Sequence, residues 1–245
     1  MVAHISMHGN IAPALHSVMG GFFAPTRDET AIRPAGAARD GDADPLNKLG
    51  EVRLVERDQV IFSEGSTAVA VHRVISGVIR LYKLLPDGRR QIIGFLRAGD
   101  MMGLAVRDRH VYTAEAVTTA TLRRIPRAHI DALMDEQPAT ARRLLAAMTT
   151  ELMTAQDQMV LLGRKTAREK LASFLLAHCG RPTAQGRCID LPMSRTDIAD
   201  YLGLTMETVS REFTKLKTAR LIRLLEGGKV ELLDLDTLSD MAECA

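Results

Sequence analysis

Three residues toward the C-terminal end carry the most legible chemistry of the chain: Glu207, Ser210 and Arg211, within Thr205-Met206-Glu207-Thr208-Val209-Ser210-Arg211. On a helix, Val209, Phe213 and Leu216 share one face, which leaves Glu207, Ser210, Arg211 and Thr214 on the other. An arginine can donate twice to guanine O6 and N7, and a glutamate can accept from the N4 amine of cytosine. Serine and threonine hydroxyls donate to phosphates or bases. A carboxylate among phosphates is costly unless a base amine meets it, so Glu207 is the informative member. The expected chemistry of this face is sequence reading in double-stranded DNA.

Such residues need a helix held at a fixed angle, and the flanking sequence supplies one. Ser194-Arg195-Thr196-Asp197 is a capping box: the serine hydroxyl accepts from an early backbone N–H and the carboxylate three residues on accepts in return. The helix it opens turns Ile198, Ala199 and Leu202 inward and ends at Gly203, which can take the left-handed conformation of a tight turn. Thr205 then caps the second helix. Two short helices joined through a glycine turn form a helix-turn-helix; the competing reading is an ordinary helical hairpin in an α-rich domain. Lys217 to Leu221 closes the second helix, and Ile222–Leu225, Gly227-Gly228 and Val230–Leu233 read as a β-hairpin, the wing of a winged helix. From Arg211 to Arg223 the cations Arg211, Lys215, Lys217, Arg220 and Arg223 stand against the single acid Glu212, as a phosphate-facing surface requires. A solvated helix face would show the same excess.

The remaining chain divides by pattern. Residues 1–45 are rich in Ala, Gly, Pro, Arg and Asp without sustained period, and are expected to form a mobile arm with at most a short helix. Short strand-like runs follow: Val52–Phe62, Val69–Ile75, Val78–Leu85, Gln91–Leu96, Tyr112–Val117 and Thr121–Ile125, punctuated by turns such as Pro86-Asp87-Gly88. They predict a small barrel or sandwich within 46–135. Pro126 suits the start of a short helix running to about Asp135. A long helix, 136–163, carries Leu145, Met148, Leu152, Ala155, Met159 and Leu162 at alternating spacings of three and four, broken by Gly163. That seam is expected to pair two copies of the chain, since its flanks (Glu151, Gln156, Asp157, Gln158) stay polar; burial against its own barrel is the alternative. A further amphipathic helix, Lys165–His178, a Gly180–Pro182–Gly186 loop and a short strand at Cys188–Leu191 lead into the helix-turn-helix, so 164–245 reads as one DNA-binding domain. The fold class is α+β.

Other chemistry finds less support. Cys179 and Cys188 lie near Arg181 and Arg187, whose charge favours thiolates, which makes them candidate redox thiols; a small apolar residue at a helix end is the plainer reading of Cys179. His72, His110 and His129 are scattered, no His-x-His occurs, and His72 and Glu115 fall on separate strands, which disfavours a cupin-type metal enzyme. No phosphate-cradling glycine loop or nucleophile elbow is present, so neither an enzyme nor a metal or cofactor is expected. The N-terminus shows no secretory pattern, and no run approaches the roughly 18 apolar residues of a membrane span. Three cysteines, Cys179, Cys188 and Cys244, are an odd number that does not suit a secreted disulfide framework, so a cytoplasmic protein is expected.

The stretch from Gly163 through Lys165, Arg168 and Lys170 to Leu176, with Met193 to Leu216, resembles the CRP/FNR family of bacterial transcription regulators, and within it the FNR and FixK branch. The likeness spans about residues 50–235. It implies a cyclic-nucleotide-binding-like barrel, a dimerisation helix and a winged helix-turn-helix that reads a palindrome as a homodimer. It implies base contacts by Glu207, Ser210 and Arg211 on half-sites of TTGAT type, because members reading the CRP half-site carry an Arg where this chain has Met206. It also implies phosphate contacts by Ser194, Arg195, Thr196, Thr205 and Thr208, and recruitment of RNA polymerase. The branch holding an iron–sulfur cluster places cysteines in the N-terminal arm, whereas here none precedes Cys179. Cyclic-nucleotide binders carry Gly-Glu and Arg-Ser pairs, whereas this chain has Gly103-Leu104 and Tyr112-Thr113. The resemblance thus implies a FixK-like activator of microaerobic or nitrogen-metabolism genes with no cofactor; a regulator gated by haem, a small molecule or a cyclic nucleotide is the alternative.

Overall fold

The computed structural model describes residues 45–104, 108–179 and 187–243. The expected N-terminal arm up to residue 44, the 180–186 loop with Arg181, and Cys244 lie outside them. Eight strands occupy the first half: β1 (Glu51–Val55), β2 (Val60–Phe62), β3 (Ala70–Ser76), β4 (Ile79–Leu84), β5 (Arg90–Leu96), β6 (Met101–Met102), β7 (Thr113–Ala116) and β8 (Ala120–Pro126). They pair antiparallel into two four-stranded sheets, β1-β8-β3-β6 and β2-β7-β4-β5. The expected small barrel is therefore a jelly-roll-like pair of sheets rather than a closed cylinder.

The two-residue period of the strands decides what fills the space between the sheets. Val55, Val74, Met102, Ala120 and Leu122 from the first sheet meet Phe62, Ile79, Leu81, Ala114 and Ala116 from the second. Arg80, between Ile79 and Leu81, is sent by the same alternation to the outer face of the second sheet, with Phe95 and Glu115 opposite it in register. That outer face meets the helix Arg195–Leu202.

Helix α1 (Arg127–Glu136) leads to α2 (Pro138–Arg164), whose first-turn proline lacks an N–H that would have been unpaired there anyway. Gly163 does not break α2: it sits one residue before the helix ends at Arg164. The break comes from Thr166, whose hydroxyl and the Glu169 carboxylate form a capping box that starts a new helix, α3 (Ala167–Ala177).

Strand β9 (Arg187–Asp190), α4 (Arg195–Leu202), α5 (Met206–Thr218), β10 (Ile222–Leu224), β11 (Lys229–Leu232) and α6 (Leu235–Glu243) complete the chain. The wing has three strands in the order β10-β11-β9. Helix α6, absent from the sequence expectations, packs against α3 and starts at Asp234, which accepts from the Thr237 N–H and hydroxyl. Leu171, Phe174, Ile198, Leu202, Val209, Phe213, Ile222, Val230 and Leu238 share one core here. Among the described residues, no helix is long and apolar enough to cross a membrane.

Candidate nucleic-acid interface

Both helices of the candidate reading unit are capped as their sequences require. The Ser194 hydroxyl accepts from the Asp197 N–H at 3.0 Å, while the Ser194 N–H donates to Asp197 Oδ2 at 3.1 Å. Gly203 closes α4 in the left-handed region, φ 61°, and Thr205 Oγ1 accepts from the Thr208 N–H at 3.2 Å to open α5. On α5, Val209, Phe213 and Leu216 are buried, whereas Glu207, Ser210, Arg211 and Thr214 are exposed. The three base-reading candidates thus share one solvent-facing surface in the first turns of the helix.

That surface is pre-ordered by short contacts of its own. Arg211 donates to Thr208 Oγ1 at 3.2 Å, and Thr208 and Thr205 share a hydroxyl contact of 3.1 Å. The Glu207 carboxyl is held below its usual range by its own backbone N–H at the helix start and by the Thr205 hydroxyl, with Arg211 adding to both. It is therefore ionised at neutral pH and acts only as an acceptor. Met206, 45% exposed, stands beside it as a large apolar side chain.

The phosphate candidates are more engaged than the sequence indicates. Ser194 also donates its hydroxyl to Asp197 at 2.8 Å, and the Arg195 guanidinium lies 3.3 Å from the Phe213 ring centre. Burial lowers the pKa of Arg195 within its very basic range, so it stays charged while stacked. Thr196 and Thr205 are exposed, and Thr208 is half-buried. The cationic cluster is smaller than its sequence count: Glu212 is buried and pairs with Lys215 at 2.6 Å and with Arg168 at 3.6 Å, and Arg223 pairs with Glu231. Glu212, read from sequence as a lone acid among cations, is a fixed internal partner. Arg220 takes a left-handed φ of 58° just past the end of α5, where the Leu221 N–H reaches back to the Leu216 carbonyl.

The seam on α2 is largely uncovered. Leu145, Leu152, Ala155 and Met159 are exposed, as are their neighbours Met153 and Val160. Met148 packs against the cluster of Leu144 and Ile130 beneath the sheets, and Leu162 reaches the C-terminal core beside Gly203. Met148 and the last member, Leu162, are thus engaged within the chain, while Leu145, Leu152, Ala155 and Met159 face outward.

Helix α4 is held from outside its own domain, which no sequence pattern predicts. Arg90 Nη2 lies 2.7 Å from Asp197 Oδ1, and its Nε donates to Asp200 Oδ2 at 2.9 Å. Arg80 reaches the same Asp197 oxygen at 3.4 Å and also contacts Glu115 and Asp58. Burial opposes the charge on Arg80, but Asp197 and Glu115 outweigh it and hold its pKa above the ordinary guanidinium value. Gln91 donates to the Asp200 carbonyl at 2.7 Å, and Gln158 of α2 donates to the Tyr201 carbonyl at 2.9 Å. Beside them Phe95 packs on Phe174, His178 and Tyr201.

The remaining candidates fall elsewhere. Burial pushes the Cys179 thiol up and outweighs Arg187, which opposes the candidate thiolate, and the residue is half-buried past the end of α3. Cys188 is exposed on β9. Phe62 stacks on His110 at 3.7 Å and lies near His72, so both histidines pack against a ring between the sheets. Where a nucleotide binder carries its Gly-Glu pair, Leu104 is buried and the Gly103 N–H donates to the Tyr112 hydroxyl at 3.1 Å. Among the described residues no three His, Cys, Asp or Glu side chains gather as a metal site would need. A cavity of about 380 Å³ opens between β1, β2, β3 and β8, lined by Arg53, Gln59, His72 and Arg124 among apolar residues.

Comparison with known proteins gives two family matches: a Crp-like helix-turn-helix domain over residues 169–241 and a cyclic nucleotide-binding domain over 52–137. The chain is similar to the nitrogen fixation regulation protein FixK of Bradyrhizobium diazoefficiens, 43% identical over 84% of this chain and 89% of that one. It is also similar to the transcriptional activatory protein AadR of Rhodopseudomonas palustris, 41% identical over 85% and 90%. Among solved structures it resembles FixK2 from Bradyrhizobium japonicum, with a TM-score of 0.76 and 38% identity over 80% of this chain and 99% of that one.

Proposed function

The chain belongs to the CRP/FNR family of transcription regulators, and on that premise we propose that it is an activator that binds a TTGAT-N4-ATCAA-like palindrome as a homodimer. The observation that carries the reading is the capped, exposed face of α5 on which Glu207, Ser210 and Arg211 stand together. Met206 before Glu207 places an apolar side chain where a CRP-type reader would present a second guanidinium. The uncovered apolar middle of α2 supports pairing of two copies, which sets two recognition helices in successive major grooves about 34 Å apart. Ser194, Arg195, Thr196, Thr205 and Thr208 hold phosphates along the same edge. In domain terms, 46–135 forms the sensor-like sheets, 136–163 the dimerisation helix and 164–245 the DNA-binding domain. The relatives' names support activation in a nitrogen-fixation setting; microaerobic genes, recruitment of RNA polymerase and a cytoplasmic location complete the proposal, which is of a regulator rather than an enzyme.

The test is footprinting or fluorescence anisotropy on that palindrome, with Arg211→Ala as the probe. Loss of a bidentate base contact costs about 1–3 kcal/mol and relaxes preference at one base pair of each half-site. Equal weakening on every duplex would remove Arg211 from the reading role. A second reading, gating by a small anion, is favoured by the cavity at Arg53 and Arg124, where His72 Nδ1 is buried without a hydrogen-bond partner. Operator affinity that does not respond to any small organic anion would dismiss it.

A further inference from the structure

Helix α4 is gripped at both ends by groups that belong to other parts of the chain. At its N-terminal turn, Asp197 completes the capping box and also accepts from Arg90 and Arg80, which come from strands β5 and β4. At its C-terminal turn the last carbonyls have no partner within the helix. Two amide side chains fill that need: Gln91 on the Asp200 carbonyl and Gln158 on the Tyr201 carbonyl. Asp200 supplies a third anchor through the Nε of Arg90.

These contacts share three properties. They join three separate parts of the chain: the second sheet, the long helix and the reading unit. Their centre is shielded from water: Asp197 is only 3% exposed and Arg80 only 9%, while the Arg90 and Asp200 side chains are 22% and 23% exposed, so salt screens the Asp197 contacts less than surface pairs. They also leave the reading surface free, because Glu207, Ser210, Arg211 and Thr214 on α5 remain exposed while α4 is docked. A contact that blocked DNA would cover that face. This one grips only the helix behind it, and α4 and α5 are joined through Leu202, Val209 and Phe213 in one core.

We propose that Arg80, Arg90, Gln91 and Gln158 are positioning residues for DNA reading: by fixing α4 against the second sheet and α2, they set the angle at which α5 meets the major groove. The two recognition helices of a dimer must match both half-sites at once, so a loosely held reading unit loses simultaneous engagement even with every base-contacting residue intact. The inference rests on the DNA-binding reading above and adds to it the residues, distant from DNA, on which that reading depends.

The test uses the full-length protein and the palindromic duplex. Arg90→Gln combined with Gln158→Ala removes contacts at both ends of α4 without touching the cap or the α5 face. Arg90→Lys serves as the charge-conserving control. The expected result is an operator affinity about tenfold weaker for the double variant, within the usual range for coupling between distant sites, with most of it retained by Arg90→Lys. The slope of log K against log salt stays at the wild-type value, because no phosphate contact is lost. Small-angle scattering should show a broader distribution of domain separations at an unchanged dimer mass. A folded double variant with wild-type affinity would overturn the proposal and leave the DNA reading standing; so would a gain in affinity, which would make the grip a restraint, or a shallower salt slope, which would make Arg90 a direct phosphate contact. If the unaltered protein does not select the palindrome over a scrambled duplex, the DNA reading falls and takes this inference with it.

Discussion

Replacing Asp197 separates two roles that one carboxylate combines. Its Oδ2 accepts from the Ser194 N–H and hydroxyl, and its Oδ1 faces Arg90 at 2.7 Å and Arg80 at 3.4 Å. Asp197→Ala removes both. The Ser194 hydroxyl keeps the residue-197 N–H, so only the carboxylate's half of the box is lost, at about 1 kcal/mol. Removing one partner of a buried ion pair costs about 3–5 kcal/mol when the other is stranded. Neither arginine is stranded here: Arg80 keeps Glu115 and Asp58, and Arg90 keeps Asp200. The ion-pair share therefore falls to about 2 kcal/mol, below the range for a stranded charge, and the total for alanine is about 3 kcal/mol. Asp197→Asn retains an acceptor for the cap and loses the charge, so about 2 kcal/mol is expected. Urea denaturation of the full-length protein near neutral pH, with free energies from linear extrapolation, resolves the difference. If Asp197→Asn matches the wild type within about 0.5 kcal/mol, the ion pairs contribute no net stability and only the cap holds. If alanine and asparagine cost the same, the carboxylate's half of the capping box contributes nothing.

Two further outcomes follow from the packing. Leu152 lies in the uncovered middle of the α2 stripe, and burying a leucine is worth about 1.5–3 kcal/mol. Leu152→Glu acts once on each copy of a dimer, so the dissociation constant should rise by about 10²–10⁴; sedimentation showing intact dimers at micromolar protein would place the interface elsewhere. Burial lowers the pKa of His178 to about 4, so the folded state keeps the imidazole neutral while the unfolded chain protonates near 6.5. Below 6.5 the unfolded state binds more protons, and stability present above that pH is lost as it falls toward 4. His72, lowered to about 4 by burial and Arg124, contributes in the same window. His178→Gln should therefore flatten, without abolishing, the loss of stability between pH 6.5 and 4; an unchanged slope would mean that His178 is not buried in its neutral form.

The reading unit was legible in the sequence because its determinants are local. A capping box, a left-handed glycine, a threonine cap and a 3.6-residue apolar period each act within a few residues, and all appear at Ser194–Asp197, Gly203, Thr205 and Val209–Phe213–Leu216. The alternation of strands and the three-and-four spacing on α2 are local in the same sense. Contacts that decide charge and orientation are not. Glu212 reads as an exposed acid until the fold buries it between Lys215 and Arg168, and Arg195 reads as a free phosphate donor until Phe213 arrives beneath it. Gly163 reads as a helix breaker, yet α2 passes through it because the Thr166 cap sets the boundary. Asp197 reads as a cap and nothing more, since Arg90 and Arg80 approach it from 107 and 117 residues away. Local sequence settled which two helices form the helix-turn-helix; the packing of the first against the second sheet, a long-range event with no short motif, decided how the second is held.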